Sequence, residues 1–282
     1  MTLGSDHSSH RPLTRLSRRV QFPGGSGFEL AGIVDHVERQ GDDLPSPVVV
    51  FSHCFTCNKD LKAIVRISRA LAASGVTVLR YDMTGLGGSA GDFSHTNFTT
   101  NVADLRAAIG FATTDLGPVT GLIGHSFGGA ASLAVAGDPQ GLERSLRAVV
   151  TLAAPSDTQH LANLMELRNP QIASAGAGDV EIGGRRWTIR REMTADFRSH
   201  QLSSLIARIS VPLMVIHSPA DETVGFEEAI RIFQLASVRA PGLAIPPVSL
   251  VALDAADHLL ANNADDLVYV AQLLSAFFER YR

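Results

Sequence analysis

The sequence predicts an α/β fold in which a mainly parallel sheet carries helices on both faces. From residue 47 onward, short apolar runs rich in β-branched residues alternate with longer stretches of helical period. Aromatic residues make up only 6% of the 282 residues. Alanine, valine, leucine and glycine are common, which is typical of closely packed strands and helices. The alternation predicts helical crossovers, because parallel strands need long connections.

The elements can be assigned in order along the chain. A hairpin is predicted over residues 20–37, with a glycine-rich turn at 24–27. Further strands are predicted at residues 47–52, 76–81, 119–123, 148–153, 212–217 and 248–253. Helices are predicted at residues 59–74, 97–114, 130–136, 226–236 and 265–281.

Two segments stand outside this alternation. Residues 1–19 are polar and basic, and we expect a flexible N-terminal arm. Residues 155–205 separate two strands by far more than an ordinary connection, and they predict an inserted cap above a site. Its expected elements are a short helix near 161–167, a loop at 173–178, a hairpin over 180–189 and a helix at 194–206.

Composition excludes several classes of protein. A net charge of −4, from 24 basic and 28 acidic residues, gives no general attraction to nucleic acid. No apolar run reaches the ~18 residues of a membrane span, and the N-terminus lacks the apolar core of a signal peptide. We therefore expect a cytoplasmic protein without nucleic-acid or membrane partners. The oligomeric state stays open, with a homodimer among the options.

Ser126 lies in the sequence Gly124-His-Ser-Phe-Gly128, between the strand at 119–123 and a helix of small residues. A G-x-S-x-G sequence in this strand–turn–helix setting predicts a nucleophile on a sharp, strained turn. Side chains at Gly124 or Gly128 would collide with neighbouring backbone. The Phe127 amide, at the start of the helix, is a candidate donor to an oxyanion. The alternative is a glycine-rich turn with a buried serine.

A serine nucleophile needs a base, and the base needs an acid that orients it. Asp221 follows the strand at 212–217, and His258 follows the strand at 248–253. Both therefore lie at the carboxyl edge of the sheet, where open parallel sheets hold their sites. We predict Ser126, Asp221 and His258 as catalytic residues. The alternatives are a structural His258, and Glu222 or Asp257 as the acid.

The second oxyanion donor is expected in the loop at residues 52–60, after the first parallel strand. The Phe55 amide is our candidate. His53 is interpreted as a hydrogen-bonded structural residue. Cys54 and Cys57 form a single C-x-x-C, for which structural cysteines, a redox pair and a metal site are the alternatives. A zinc site would need two more ligands, which no second such motif supplies, so no metal is predicted.

Oxidation of this cysteine pair would distort the loop around Phe55, and reversible redox inhibition follows as a hypothesis. Several further residues are candidates for substrate contact. They are Leu164, Met165, Trp187 and Phe197 in the cap, and His95 in the loop before the second helix. The glycine-rich segment at 80–89 lacks the lysine and spacing of a phosphate-binding loop, and we interpret it as a wall of the site.

Together, the Gly124–Gly128 motif, Asp221 and His258 resemble the α/β-hydrolase superfamily over residues 20–282. This resemblance implies one catalytic domain, an eight-stranded sheet and a serine esterase mechanism. Three shorter segments resemble, more narrowly, the hydrolase half of bacterial fusions with an OsmC-like domain, which is associated with hydroperoxide defence. They are His53-Cys-Phe-Thr-Cys-Asn-Lys-Asp60, Asp82-Met-Thr-Gly-Leu-Gly-Gly-Ser89 and Ala153-Ala-Pro-Ser-Asp157. The sequence ends at Arg282, which agrees with a stand-alone relative or with a trimmed fusion.

The predicted function is hydrolysis of small or short-chain acyl esters through an acyl-enzyme on Ser126, without a cofactor and with a small-molecule ester as the partner. One alternative is an acyltransferase that uses the same residues with an acceptor other than water. The other is a non-catalytic, redox-sensing protein of the same fold.

Overall fold

A computed structural model describes residues 14–38, 46–138, 140, 145–238 and 245–282. The strands of these ranges are β1 (Arg15–Pro23), β2 (Glu29–Val37), β3 (Val48–Ser52), β4 (Thr77–Tyr81), β5 (Val119–His125), β6 (Ala148–Leu152), β7 (Ala177–Ile182), β8 (Arg185–Arg190), β9 (Leu213–His217) and β10 (Val248–Ala252). Eight of them form one sheet in the order β1-β2-β4-β3-β5-β6-β9-β10. Along this order, neighbouring strands from β4 through β3, β5, β6 and β9 to β10 pair in parallel. At the other end of the sheet, β1 and β2 pair antiparallel. The predicted mainly parallel, eight-stranded sheet is confirmed.

Helices cover both faces of this sheet. They are α1 (Lys62–Ala73), α2 (Phe98–Asp115), α3 (Phe127–Gly137), α4 (Gln159–Arg168), α5 (Gln171–Ala175), α6 (Arg191–Ser199), α7 (Leu202–Ile206), α8 (Phe226–Ser237) and α9 (Ala264–Arg280). Apolar residues of α1 and α9 pack on one face, and those of α2, α3 and α8 pack on the other. Strands β3, β6 and β9 are buried throughout, as expected of parallel strands covered on both sides.

The start of the chain differs from the expected arm at residues 1–19. Arg15 pairs with Val37 and Arg19 pairs with Ile33, so β1 begins within that segment. Its side chains from Arg15 to Arg19 are exposed because β1 is the edge of the sheet, and charged residues are common on edge strands. The first half of β1 was therefore not recognised from its polar sequence. Residues 1–13 lie outside the described part of the chain.

The segment 155–205 folds into α4, α5, the β7–β8 hairpin, α6 and α7. The helix predicted at 194–206 is two helices, because His200 and Gln201 leave the helical conformation between α6 and α7. The loop predicted at 173–178 is partly helical, and α5 ends at Gly176 in the left-handed conformation with φ of 90°. Within the described ranges no helix is long and apolar enough to cross a membrane.

Candidate active site

The turn between β5 and α3 holds Ser126 in a strained backbone conformation. Its φ is 53° and its ψ is −118°, a combination that side-chain-bearing residues rarely adopt. Gly124 and Gly128 make the turn sterically feasible. A Cβ at Gly124 would lie 2.3 Å from the Gly128 carbonyl oxygen, and one at Gly128 would lie 2.4 Å from that of His53. The collision expected at both glycines is confirmed.

Ser126, His258 and Asp221 form one chain of hydrogen bonds. His258 Nε2 lies 3.0 Å from Ser126 Oγ, and His258 Nδ1 lies 2.8 Å from Asp221 Oδ2. Because a carboxylate only accepts, Nδ1 carries the proton and donates it, which leaves Nε2 free to accept from the serine hydroxyl. The structure thus brings together the three residues predicted to act as nucleophile, base and acid.

Asp221 lies on the loop after β9, in a position that keeps its carboxylate charged. Its Oδ1 accepts from the amides of Thr223 at 2.8 Å and Val224 at 2.9 Å. Burial alone raises the pKa of Asp221, but the hydrogen bonds from His258 and these two amides outweigh burial and lower the pKa overall. Asp221 is therefore ionised at neutral pH.

The two competing acids lie elsewhere. Glu222 is exposed to solvent. The Oδ1 of Asp257 accepts from the Ala261 amide at 2.6 Å, which closes the turn after β10. Neither carboxylate contacts His258, so Asp221 is the acid in contact with the histidine.

Two further histidines support this arrangement from behind. His125 Nε2 donates to the His258 carbonyl oxygen at 2.7 Å and so anchors the loop that carries His258. Burial, with a smaller contribution from the neighbouring His258, lowers the pKa of His125 to about 3. His217 Nε2 donates to the Val224 carbonyl oxygen at 2.8 Å, and burial lowers its pKa as well. Both are neutral structural groups, and their Nε2 atoms bond to backbone carbonyls rather than to the Ser126 hydroxyl.

The loop after β3 begins with a tight turn from Cys54 to Cys57. The Cys57 amide donates to the Cys54 carbonyl oxygen at 3.2 Å, and a disulfide joins the two side chains. Thr56 within the turn has φ of 60°, which is strained for a β-branched residue. His53 Nδ1 also donates to the Cys54 carbonyl oxygen, at 2.8 Å, and His53 Nε2 accepts from the Met83 amide at 3.1 Å. The structural interpretation of His53 agrees with these contacts.

The turn with its cysteines joined is compatible with the catalytic hydrogen bonds, and redox inhibition of the hydrolase stays a prediction. With the disulfide formed, Ser126 and His258 keep their hydrogen bond at 3.0 Å. The Cα atoms of Cys54 and Cys57 lie 5.3 Å apart, within the usual range for a disulfide. Oxidation therefore fits the turn.

A cavity of ≈ 740 Å³ lies between the turn at Ser126 and the cap. Three of the predicted substrate contacts, Leu164, Met165 and Trp187, line it together with residues of the loop and the turn. The cavity is open to Phe55, Phe127 and His258 as well, so the cap side chains and the reactive groups share one space.

Two predicted contacts lie outside this cavity. Phe197 is fully buried, and its ring packs 6.0 Å from that of Phe55 and 5.2 Å from that of Phe127. It therefore supports the two residues with candidate oxyanion amides from behind. His95 is exposed at the end of a short 3-10 helix, and its Nε2 lies 3.9 Å from Asp92 Oδ2. The residue type alone, apolar for Phe197 and polar for His95, did not show which way the side chain faces.

Comparison with known proteins decides the family. A sequence model described as the alpha/beta hydrolase family matches residues 49–271. The chain belongs to this family. No curated protein sequence matches the hydrolase. The esterase domain of a Rhodothermus marinus protein has a similar structure with 36% identity, a TM-score of 0.69, and coverage of 94% of this chain and 99% of that one.

Two structures of lower sequence identity share the fold. Est1E from Butyrivibrio proteoclasticus with bound ferulic acid has 20% identity and a TM-score of 0.76, over 93% of this chain and 99% of that one. The Pyrococcus furiosus esterase Pf2001 has 15% identity and a TM-score of 0.66, over 94% and 90%. The hydrolase is thus similar to proteins described as esterases. The narrower resemblance to fusions with an OsmC-like domain stays a prediction.

A buried charge network that sequence reasoning missed anchors the far end of the loop after β3. Asp82 accepts from the amide of Lys59 at 2.6 Å and from its Nζ at 2.9 Å, and also from the Gly88 amide at 2.8 Å. Arg80 binds Asp35 through Nε at 2.8 Å and the Lys59 carbonyl oxygen through a second nitrogen at 2.8 Å. The segment at 80–89, expected to wall the site, instead fastens this loop and does not line the cavity. A single arginine in an apolar strand was the available signal, because such a charge needs a buried partner.

Proposed function

We propose that this hydrolase is a serine esterase that cleaves small or short-chain acyl esters through an acyl-enzyme. The observation that supports the proposal is the continuous hydrogen-bond chain Ser126–His258–Asp221, with separations of 3.0 and 2.8 Å, beside a cavity. Similarity to the Rhodothermus marinus esterase domain at 36% identity adds to it.

In the first step, Ser126 Oγ attacks the ester carbonyl carbon while His258 Nε2 takes the hydroxyl proton. Asp221 stabilises the imidazolium that forms, because its carboxylate is already ionised and hydrogen-bonded to Nδ1. His258 then returns the proton to the leaving alcohol, and an acyl group remains on Ser126. Water, deprotonated by His258, repeats the sequence and releases the acid.

The charge that develops on the carbonyl oxygen needs donors in both halves of the reaction. We assign them to the amides of Phe55 and Phe127, each of which is worth ~3–4 kcal/mol in comparable sites. The Phe127 amide opens α3, whose dipole favours a negative charge at that end. Phe55 also lines the cavity, and its ring lies 5.3 Å from that of Phe127.

The acyl group would occupy the space under the cap. Leu164, Met165 and Trp187 offer apolar surface there, and Met165 and Leu164 lie on the same helix, α4. A volume of ≈ 740 Å³ lies within the range of small-molecule sites and leaves room for both acyl and alcohol portions of a compact ester. No metal or organic cofactor takes part in the proposed steps.

Hydrolysis of a series of 4-nitrophenyl esters, from acetate to laurate, tests the proposal. We expect kcat/KM to be greatest for acyl chains of a few carbons, and Ser126→Ala to lower it by a factor on the order of 10⁴–10⁶. Ser132→Ala is the matched control, because its hydroxyl only donates to the Gly128 carbonyl oxygen behind the turn. Activity retained in Ser126→Ala, or no activity of the wild type on any ester, would overturn the proposal.

Acyl transfer is separated from hydrolysis in the same assay. Addition of a competing alcohol or amine partitions the acyl-enzyme between water and the acceptor, and the products show the ratio. We expect the free acid to dominate at millimolar acceptor concentrations.

A further inference from the structure

The Cys54–Cys57 disulfide closes the turn that contains the amide assigned to the oxyanion. Phe55 and Thr56 are the two residues between the cysteines, and Cys54 and Cys57 both line the active-site cavity. The disulfide is therefore part of the catalytic wall. The hydrolytic steps proposed above do not use its sulfur atoms.

The Phe55 N–H and the Cys54 C=O belong to one peptide unit. In a planar trans peptide these two groups point in opposite directions, so fixing the carbonyl fixes the direction of the amide. The Cys54 carbonyl oxygen accepts from His53 Nδ1 at 2.8 Å and from the Cys57 amide at 3.2 Å. The second of these donors is brought into place by the same turn that the disulfide closes.

The turn contains a strained residue, so other contacts must stabilise its conformation. Thr56 has φ of 60°, a conformation that is unfavourable for a β-branched residue. Besides the disulfide, the 3.2 Å bond from the Cys57 amide holds this turn closed. Without the disulfide, Thr56 is free to relax towards negative φ, which rotates the adjoining peptide units.

We propose that the Cys54–Cys57 disulfide holds the Phe55 amide in its oxyanion-binding direction, so that a dithiol reductant lowers the rate of catalysis and an oxidant restores it. This inference rests on the esterase function above. It reverses the sense of the hypothesis drawn from the sequence, because the oxidised form is the active one.

The chemistry of the switch balances with a dithiol as the two-electron reductant. Its thiolate attacks Cys57 Sγ, the more accessible sulfur, since Cys57 is partly exposed and Cys54 is 3% exposed. The Cys54–Cys57 bond breaks, Cys54 leaves as a thiolate, and a mixed disulfide forms on Cys57. The second thiol of the reductant attacks that bond and releases Cys57, the reductant becomes a cyclic disulfide, and the two cysteine thiolates take up protons.

The first measurement compares oxidised and dithiothreitol-reduced wild type on 4-nitrophenyl butyrate, with thiols counted by mass spectrometry. Removal of one oxyanion donor lowers kcat by about 10²–10³-fold in comparable enzymes, so partial misdirection should lower it about 10–100-fold, with KM changed far less. Re-oxidation by a small-molecule disulfide such as oxidised glutathione, which leaves as two thiols while the Cys54–Cys57 bond re-forms, should restore kcat. Cys57→Ser should have the low kcat of the reduced wild type and show no response to the reductant.

Binding of butaneboronic acid separates a positioning role from a loss of folded enzyme. Its tetrahedral adduct on Ser126 presents an oxygen to the donors, whereas a smaller folded fraction leaves the dissociation constant unchanged. We expect that constant to rise in the reduced form in parallel with the fall in kcat. Thr56→Asn should reduce the ratio of oxidised to reduced kcat, because asparagine tolerates a positive φ.

Equal kcat and equal boronate affinity in both redox states, with two free thiols counted in the reduced form, would overturn the inference while leaving the esterase function intact. A fall in kcat at unchanged boronate affinity would also overturn it. If neither form hydrolyses the ester, the esterase function itself fails and the inference fails with it.

Discussion

The two sides of the candidate oxyanion site are built in different ways. The side at Phe127 is made by local backbone sterics, since Gly124, Ser126 and Gly128 lie within five residues. The side at Phe55 is held by contacts from distant parts of the chain. Met83 contacts His53 across a separation of 30 residues, and Asp82 contacts Lys59 across 23.

This difference shows why one side tolerates few substitutions and the other can be regulated. Around Ser126, a Cβ added at Gly124 or Gly128 meets backbone carbonyl oxygens at 2.3 and 2.4 Å. Around Phe55, the direction of the amide depends on side-chain bonds that chemistry can make or break, including the Cys54–Cys57 disulfide. We predict the effects of changing the acid, the glycine at which the two sides meet, the buried His125 and the cap.

The largest effect is expected for the acid. Asp221→Asn should lower kcat by about 10⁴-fold, because an amide no longer fixes the His258 tautomer or stabilises its positive charge. Glu222→Gln and Asp257→Asn are matched controls, since neither side chain contacts His258, and each should stay close to the wild type. Steady-state kinetics on a 4-nitrophenyl ester measures all three. An equal loss in Asp257→Asn would contradict the assignment of the acid.

Gly128→Ala tests the close approach of the two sides. A Cβ there lies 2.4 Å from the His53 carbonyl oxygen and 2.5 Å from that of Ser52, so the turn and the loop after β3 must separate. We expect kcat to fall by about 10²-fold or more, since displacement of about 1 Å has this cost in other sites. Gly110→Ala is the control, because nothing lies within 4 Å of the added Cβ on α2. It should keep full activity and unfold at a slightly higher temperature.

Acidification should destabilise the fold through its buried neutral histidines. Burial, with a smaller contribution from His258, lowers the pKa of His125 to about 3, whereas the unfolded chain takes up this proton below about pH 6.5. The unfolded state therefore binds more protons as the pH falls, and His125 alone should remove about 2 kcal/mol of the free energy of unfolding between pH 7 and pH 5. The pKa of Asp221 is lowered below 3.8, so its contribution is lost only below that window.

Urea unfolding at pH 7, 6 and 5 measures this dependence. His125→Gln should show a shallower decline than the wild type, although it starts from a lower stability because the contact with the His258 carbonyl is weakened. Parallel curves for the two proteins would show that His125 takes up its proton in the folded state as well.

The smallest effect is expected in the cap. Trp187→Ala should lower kcat/KM for butyrate esters by about tenfold, because burying the acyl group on a large aromatic surface contributes roughly 1–2 kcal/mol. Arg186→Ala is the matched control, since neighbouring residues on a strand face opposite sides and Arg186 does not line the cavity. An equal effect of both changes would locate the acyl group elsewhere.

Sequence reasoning succeeded where chemistry follows from local pattern. The alternation of elements predicted the sheet, and the carboxyl-edge rule placed Asp221 and His258 near Ser126. It failed where the outcome depends on distant contacts. The position of Phe197 behind Phe127, and the pairing of Arg15 with Val37, follow from packing that a single segment does not encode.

The cysteine pair lies between these cases. The spacing indicated that Cys54 and Cys57 could pair, but it did not show which backbone conformation the joined turn adopts. That result depends on the left-handed Thr56 and on the two bonds to the Cys54 carbonyl oxygen, none of which a motif reports.

The most direct test of the account is labelling by a fluorophosphonate, followed by peptide mass spectrometry. Only a serine activated by a base reacts with this probe, so we predict one adduct per chain, on Ser126, and none in Ser126→Ala or His258→Ala. An adduct on a different serine, or no adduct on folded wild type, would contradict the proposed nucleophile and the mechanism built on it.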